Sequence, residues 1–182
     1  MENILSLDPD EKTLRPPSGR RGFRDYPEAP RFLLDKKLGR LPQDLELFHA
    51  YWLISDRTKS VFEALEPAGF SFLACDIRLP HGDYDGPRYW LCDVIRVLDA
   101  LDEARSRLKI GIREDKAYID FGKKYYDIAG GGELVFREDA IDDAHVFRMA
   151  HLERTVICDQ TMKDACKAAG LKGIKFDDAS KV

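Results

Sequence analysis

The amino-acid sequence predicts an α+β fold, in which two main amphipathic helices pack on a central, mostly antiparallel sheet. Apolar residues recur at the spacing of a one-faced helix in two places, residues 56–66 and 159–169. Other apolar stretches alternate and are separated by turn-forming residues, which predicts hairpins over residues 70–98 and 117–137. Strands that follow one another as hairpins, with few helices between them, favour this class over a doubly wound parallel sheet.

The chain is predicted to divide into an arm and a domain. Residues 1–42 mix Pro, Gly and Arg without a sustained period, and are predicted to form an irregular N-terminal arm. Residues 43–182 carry the periodic segments and are predicted to form a single α+β domain with one buried core. The arm has a local positive charge, but no glycine-rich loop opens a helix there, so a solvated arm is favoured over a phosphate site. Its arginines include Arg15, Arg20, Arg21 and Arg24.

Start and stop signals define the first helix. Residues 52–54 are apolar, and either Ser55 or Asp56 can cap the helix by accepting a hydrogen bond from a free backbone N–H. Pro67 and Gly69 end the helix. Its apolar stripe comprises Thr58, Val61, Phe62 and Leu65.

Two predicted strands follow the helix and form the first hairpin. Residues 70–79 are apolar on both faces, which indicates an inner strand, and residues 88–98 repeat this pattern. Residues 80–87, between them, are dense in turn formers and are predicted to be an exposed loop. Asp93 interrupts the second strand, so its carboxylate is predicted to lie at an edge, to pair with an arginine such as Arg96, or to lie at an interface.

The region after this hairpin is less regular. Residues 117–121 and 133–136 have the composition of strands, and three glycines at positions 130–132 lie between them, which predicts a second hairpin. Residues 137–144 are predicted to form a short helix, and residues 145–149 a short strand.

The C-terminal segment repeats the pattern of the first helix and its flanking strands. Asp159 takes the cap position, Gly170 follows the helix, and residues 173–176 are predicted to return as a strand. The two copies share only the residue types that capping and amphipathicity require, so the repeat is interpreted as architecture rather than as a duplicated site. The second apolar stripe comprises Met162, Ala165, Cys166 and Ala169.

No catalytic pattern emerges from the sequence. The histidines lack metalloprotease or zinc-finger spacing, no serine lies in a nucleophile elbow, and no glycine-rich nucleotide loop is present. The sequence therefore predicts a protein that is not an enzyme, without a catalytic residue, a cofactor or a metal ligand. The cysteines lie in apolar patterns and are interpreted as core residues in a reducing compartment rather than as disulfides. The residues concerned are His49, His81, His145 and His151, with Cys75, Cys92, Cys158 and Cys166.

Acidic residues are the richest class of reactive side chains, and they gather in two groups. Either group could hold a hard cation, but neither has the spacing of a calcium loop, so a solvated turn or helix start is favoured over a metal site. The groups are Asp83 and Asp85 on either side of Tyr84, and Glu138, Asp139, Asp142 and Asp143.

Charge and hydropathy restrict the partners. The net charge of −4 argues against a general nucleic-acid-binding protein, because affinity for the phosphate backbone needs clustered Lys and Arg. The first residues lack a signal-peptide pattern, and no apolar run has membrane-spanning length. The sequence therefore predicts a cytoplasmic protein that binds neither nucleic acid nor a membrane.

Three stretches of the sequence resemble a bacterial immunity-protein family that was once catalogued only as a domain of unknown function. They are HVFRMAHLERTVICDQTMKDACKAAGLKGIKF near the C-terminus, YWLCDVIRVLDALDEARS in the middle and LISDRTKSVFEAL upstream. The resemblance covers roughly residues 40 to 178. The residues that match the family's motifs are Tyr89, Trp90, Leu101, Asp102, Ser106, Phe147, Arg148, Asp159, Gly173 and Phe176.

The resemblance implies a function in competition between bacteria. A member of this family is expected to bind and neutralise a cognate toxin of a polymorphic or type VI secretion system, encoded next to it, and to have no catalytic residues. A toxin that acts on nucleic acid or nucleotides would present a basic cleft, so both acidic groups, with Tyr84, are predicted to contact the toxin. Two other functions stay open: a small metal-assisted enzyme that uses the acidic groups, and an adaptor domain of a secretion system.

Overall fold

The structure of the protein is a computed structural model, and it describes residues 5–7 (backbone), 21–23, 28–35, 37, 41–117 and 120–182. The helices are α1 Asp56–Leu65, α2 Glu138–Ile141 and α3 Gln160–Ala168, and a 3-10 turn spans Ala179–Lys181. The strands are β1 Leu5–Leu7, β2 Arg31–Leu34, β3 Leu45–Phe48, β4 Tyr51–Ser55, β5 Phe70–Ala74, β6 Asp76–Arg78, β7 Tyr89–Val94, β8 Val97–Leu98, β9 Lys109–Ile112, β10 Lys124–Asp127, β11 Val146–Met149 and β12 Leu152–Cys158.

The largest sheet has four strands in the order β3-β4-β7-β5, and every neighbouring pair in it is antiparallel. The described strands also form the sheets β1-β2-β6, β12-β11-β8 and β10-β9. Two pairs are parallel, β2 with β6 and β8 with β11. The fold is therefore α+β with mostly antiparallel sheets, which confirms the predicted class, and β5 with β7 confirms the hairpin over residues 70–98.

Both long predicted strands are divided between two sheets. The stretch 70–79 contains β5 in the four-stranded sheet and β6 beside β2, with Cys75 between them. The stretch 88–98 likewise contains β7 in the four-stranded sheet and β8 beside β11. Because each segment is apolar on both faces throughout, its hydrophobic pattern contains no sign of the point where the chain changes sheet.

The two predicted amphipathic helices are confirmed together with their caps. The Ser55 hydroxyl accepts a hydrogen bond from the Thr58 amide (3.3 Å), and the Asp159 carboxylate accepts one from the Met162 amide (2.8 Å). The two helices contact each other and cover the four-stranded sheet. Phe62 of α1 stacks on Phe70 of β5 with ring centroids 4.5 Å apart. The buried residues of this layer are Ile54, Phe62, Phe70, Cys92, Val94, Val146, Met162 and Cys166.

The strand predicted over residues 173–176 is absent, and an irregular strap takes its place. Gly170, with φ of +64°, ends α3 in a Schellman motif, in which the Leu171 amide bonds to the Cys166 carbonyl oxygen (3.1 Å). Gly173 then has φ of +87°, and a Cβ atom on it would lie 2.2 Å from the Leu45 carbonyl oxygen. This left-handed residue turns the chain where it passes β3, so a ladder cannot continue through it.

The N-terminal region contains strands where an irregular arm was predicted. Residues 5–7 form β1 and residues 31–34 form β2, so the prediction is wrong for these two stretches. Phe32 and Leu34 are buried, and their strand pairs with β6, which is distant in the sequence. Pairing at that distance leaves no local pattern to read. Arg15, Arg20 and Arg24 lie outside the described residues, and a domain boundary at residue 42 stays a prediction.

The hairpin predicted over residues 117–137 is wrong in its position. The strands that pair are β9 and β10, over residues 109–127. Residues 117 and 120–121 belong to the turns that connect them, and residues 118–119 lie outside the described part. Residues 133–136 contribute isolated bridges instead of a strand. Ala117 and Phe121 therefore lie in the turns of this hairpin, where alternation does not report burial. The short helix and short strand predicted next are confirmed as α2 and β11.

Asp93 lies in the interior of the protein, fully buried on β7, and its charge is balanced there. Its Oδ1 lies 3.1 Å from Nη2 of Arg148 and 3.8 Å from Nη1 of Arg21, and its Oδ2 accepts a hydrogen bond from the Gly22 amide (2.9 Å). The predicted pairing of Asp93 with an arginine is confirmed, but with a different arginine. Arg96 is not the partner, because it binds Glu66 at 3.0 Å.

We predict that Arg148→Met lowers the free energy of unfolding by about 3 kcal/mol or more, because it removes the closest cation from a buried carboxylate. The double variant Asp93→Leu/Arg148→Met should recover part of this loss, since it removes the uncompensated charge as well. Urea unfolding of the wild type, both single variants and the double variant measures the coupling. Equal losses in the single Arg148→Met and the double variant would contradict the prediction.

Candidate functional site

The first acidic group lies on a loop that is shaped by its own tyrosine. Tyr84 is half-buried, its hydroxyl donates a hydrogen bond to the Pro87 carbonyl oxygen (2.7 Å), and a Cβ on Gly86 would lie 2.5 Å from its ring. Burial, and next the charge of Asp85, raise the pKa of Tyr84. Asp83 and Asp85 are exposed and make no ion pair or hydrogen bond within the described residues. The loop thus presents two carboxylates, unpaired within the described residues, on a preformed frame.

A groove of about 650 Å³, lined by charged, polar and apolar residues, runs beside this loop. Its lining includes the end of the loop and the start of α1, where Asp56 accepts a hydrogen bond from Nε1 of Trp90 (2.9 Å). Charges of both signs face the groove, so it fits a mixed polar surface better than a simple anion or cation. Its lining residues are Leu41, Pro42, Gln43, Asp44, Ser55, Asp56, Arg57, Pro87, Arg88, Tyr89 and Lys172. Because they come from four separate stretches, the sequence did not reveal the groove.

The second acidic group surrounds the short helix α2, and all four of its carboxylates are exposed. They are Glu138, Asp139, Asp142 and Asp143. The segment is anchored just after them, because the His145 amide donates to the Glu66 carboxylate (2.9 Å) and the His145 ring contacts the Asp159 carboxylate (2.8 Å). The neighbouring Ala140 packs on a hydrophobic cluster that differs from the cluster under Tyr84. The structure therefore keeps the two acidic groups on different parts of the core.

The described residues offer little support for a metal site or for a reactive cysteine. No group of three His, Cys, Asp or Glu side chains is close enough there to hold a metal ion. The four cysteines are free thiols. Burial raises the pKa of Cys75 to about 12 and that of Cys158 to about 11, so both thiols are protonated at neutral pH and are weak nucleophiles. In the described part of the chain, each helix is too short or too polar to cross a membrane.

An apolar cavity of about 200 Å³ lies between the two long helices and the four-stranded sheet. The strap over residues 173–176 forms its outer wall. Lys175 is the one charged residue that lines it, and its amino group pairs with Asp177 at 2.9 Å. The lining lacks the polar groups that would orient a reacting molecule, so we assign the cavity to the core. Other lining residues include Trp52, Phe62, Phe70, Val146, Cys158, Met162, Cys166 and Phe176.

Three of the residues that carry the family resemblance have structural roles. Arg148 balances the buried Asp93, and Asp159 caps α3. The Ser106 hydroxyl bonds to both the amide (2.9 Å) and the carbonyl oxygen (3.2 Å) of Val135. The fold alone accounts for these three residues.

Comparison with known proteins extends the resemblance to the whole chain. The sequence model of the immunity protein family Imm11 matches residues 1–181. The match therefore includes the N-terminal region, which the resemblance over residues 40 to 178 had left out. No curated protein matches the chain at a significant level.

The Asp159 cap of α3 predicts that the stability of the protein depends on pH. Burial would raise the pKa of the Asp159 carboxyl, but hydrogen bonds from the Met162 amide and the His145 ring outweigh it, and this pKa is lowered. Stabilisation by Asp159 is then complete above the unfolded-state pKa of about 3.9 and is lost as the pH falls through the folded-state value. We predict that Asp159→Ala lowers the free energy of unfolding by about 1 kcal/mol at pH 7, and that the difference shrinks in acid.

Asp159→Asn is the matched control, because an amide oxygen still caps the helix but does not titrate. Urea unfolding at pH 7, 5 and 3 separates the two variants. A difference between wild type and Asp159→Ala that is as large at pH 3 as at pH 7 would contradict the assignment.

Proposed function

Because this chain belongs to the immunity protein family Imm11, we propose that it is a non-catalytic immunity protein that binds and neutralises a cognate bacterial toxin. The observation that carries the proposal is the match of the family over residues 1–181. The toxin is encoded next to this chain and is delivered by a polymorphic or type VI secretion system. Neutralisation takes place in the cytoplasm of the cell that makes the immunity protein, and it acts through protein–protein contact.

The loop with Asp83, Tyr84 and Asp85 is the first toxin-contacting surface that we propose. Its carboxylates are exposed and unpaired in the part of the chain that the structure describes, while the Tyr84–Pro87 hydrogen bond holds the loop in shape before binding. A preformed surface loses little conformational entropy on binding. Negative charge also accelerates capture of a basic partner, because complementary charges steer the encounter. The groove beside the loop offers room for a side chain of the toxin.

The second contact surface that we propose is the group around α2. Glu138, Asp139, Asp142 and Asp143 are exposed, and the segment is fastened by His145 to two structural carboxylates. Because the two acidic groups pack on different hydrophobic clusters, they form two separate contact areas. These areas contact either one toxin at two places or two different partners. The metal-assisted enzyme gains no support from the described residues, where carboxylates do not converge on a common point.

Co-expression with the neighbouring gene tests the function. The C-terminal domain of the protein encoded next to this chain should arrest growth when expressed alone, and this chain should restore growth and co-purify with that domain. The interface should bury roughly 1,600 Å² of surface. Growth arrest that this chain does not relieve, together with no co-purification, would refute the proposal. A domain that is harmless alone yet co-purifies would instead favour the adaptor function.

Substitutions in the first acidic group have distinct expected effects on the complex. Tyr84→Ala should weaken affinity by about 2 kcal/mol, because it removes an aromatic contact and the frame of the loop. Tyr84→Phe keeps the ring and loses only the hydroxyl bond to Pro87, so it separates contact from framing. Asp83→Asn should mainly slow association and flatten its dependence on salt.

Stopped-flow association and titration calorimetry with the toxin domain measure these effects. Glu133→Gln is the charge-matched control, since Glu133 is exposed and lies outside both acidic groups. Asp139→Asn tests the second group in the same assay. Wild-type kinetics and affinity in Tyr84→Ala and Asp83→Asn would place the interface elsewhere.

A further inference from the structure

The cavity beneath the strap of residues 173–176 has the chemistry of a site for a small apolar molecule. Lys175 is the one charged residue that lines it, and the other lining side chains are aliphatic, aromatic or sulfur-containing. The Lys175 side chain is 85% exposed and pairs with Asp177, so its charge lies outside the apolar space. A polar molecule that entered this space would lose its hydrogen bonds to water without replacement. The walls therefore exclude polar guests and accept apolar ones.

The size of the cavity sets the size of the guest. A protein cavity of about 150 Å³ lined by leucine, isoleucine and phenylalanine stays free of water and takes up benzene or xenon. The space beneath the strap, about 200 Å³, is comparable in volume and in the nature of its walls. A guest of one ring would leave water and form dispersion contacts that the empty cavity lacks.

Aromatic side chains in the walls favour an aromatic guest. Phe62 and Phe70 stack with their ring centroids 4.5 Å apart, and the ring of Trp52 lies 6.2 Å from that of Phe62 at an interplanar angle of 56°. All three residues line the cavity. A further ring can add an offset or edge-on contact to such a group. Met162 also lines the cavity, and its unbranched side chain adapts to an irregular space.

The elements around the cavity are held in place without a guest. The four-stranded sheet forms one side, and α1 and α3 form the other. The guanidinium of Arg57, on α1, donates to the Ala169 carbonyl oxygen just after α3 (2.5 Å), and this bond fixes the two helices relative to each other. Because the surroundings of an empty apolar space relax only partly, the space persists and its cost remains in the folded state. A guest would remove that cost.

The strap is the wall that can open. The Leu45 amide donates to the Lys172 carbonyl oxygen (3.1 Å) where the strap begins. Beyond this bond, residues 174–177 form no backbone hydrogen bond within the described part of the chain. Ile174 and Phe176 hold them through apolar packing. A segment without backbone hydrogen bonds opens locally at a low free-energy cost, which gives a guest a route to the cavity.

We propose that the cavity between α1, α3 and the four-stranded sheet is a binding site for a small apolar molecule, with a single aromatic ring as the preferred guest. The guest enters past the strap and contacts Trp52, Phe62 and Phe70. Since only the folded protein has the cavity, the guest stabilises the fold. The site lies apart from both acidic groups and does not require a toxin, so the proposal and the immunity function are tested independently.

Benzene and pyridine are the probes for the wild-type protein. At about ten times its Kd, benzene should raise the folding equilibrium constant about tenfold in urea unfolding. Pyridine has nearly the same size, but its ring nitrogen loses a hydrogen bond to water on entry, so it should bind about tenfold more weakly. No stabilisation by benzene, or equal stabilisation by both molecules, would overturn the proposal.

Cys166→Phe is the matched variant, because it places a ring in the cavity from α3. Cys166 is buried and lines the cavity. The added ring fills empty space, so the variant should be at least as stable as wild type without benzene. Benzene should then leave its thermal midpoint unchanged. A shift as large as that of wild type would place the guest elsewhere and overturn the proposal.

Methyl NMR of the wild-type protein locates the guest and does not depend on a variant folding. Nuclear Overhauser effects from benzene protons should reach the methyl groups of Val146, Val156 and Met162, which line the cavity. The exposed methyl groups of Ile110 and Ile112, outside the cavity, are the control. Contacts restricted to those exposed groups would show association with the surface, and this result, like the absence of any contact, would overturn the proposal.

Discussion

The arrangement of the fold depends on the fully buried carboxylate of Asp93. A charge without water is tolerated only when cations and donors surround it closely. Here they arrive from two other parts of the chain, Arg148 on β11 and the Arg21–Gly22 segment near the N-terminus. Arg148 in turn donates to the carbonyl oxygens of Val94 (2.9 Å) and Glu153 (2.8 Å). The four-stranded sheet, the β11–β12 pair and the N-terminal region must therefore come together in one relative position.

A second buried acid extends this constraint to the helical layer. Glu66, just after α1, binds Arg96 at 3.0 Å and accepts the His145 amide at 2.9 Å. The end of α1, the chain between β7 and β8, and the start of β11 are thereby joined. The loop over residues 80–87 and the β9–β10 hairpin lie outside these networks, so substitutions on their surfaces leave the scaffold in place.

The sequence predicted the features that depend on interactions between neighbouring residues. Ser55 and Asp159 cap helices because their oxygens lie next to free amides, and those helices were located closely. Asp93 was expected to need an arginine, but the choice of Arg148 over Arg96 follows from sheet packing, which spacing in the chain does not express. For the same reason the strand over residues 31–34 and the groove beside the loop were missed: each depends on segments that are far apart in the sequence.

The cavity beneath the strap bears on how hydrostatic pressure affects the stability of the fold. Its volume of about 200 Å³ is lined mainly by apolar side chains, so water gains little by entering it while the fold is intact. Unfolding abolishes such empty space, and the unfolded chain then occupies less volume together with its solvent. Hydrostatic pressure therefore favours unfolding, and the space beneath the strap contributes to the volume change.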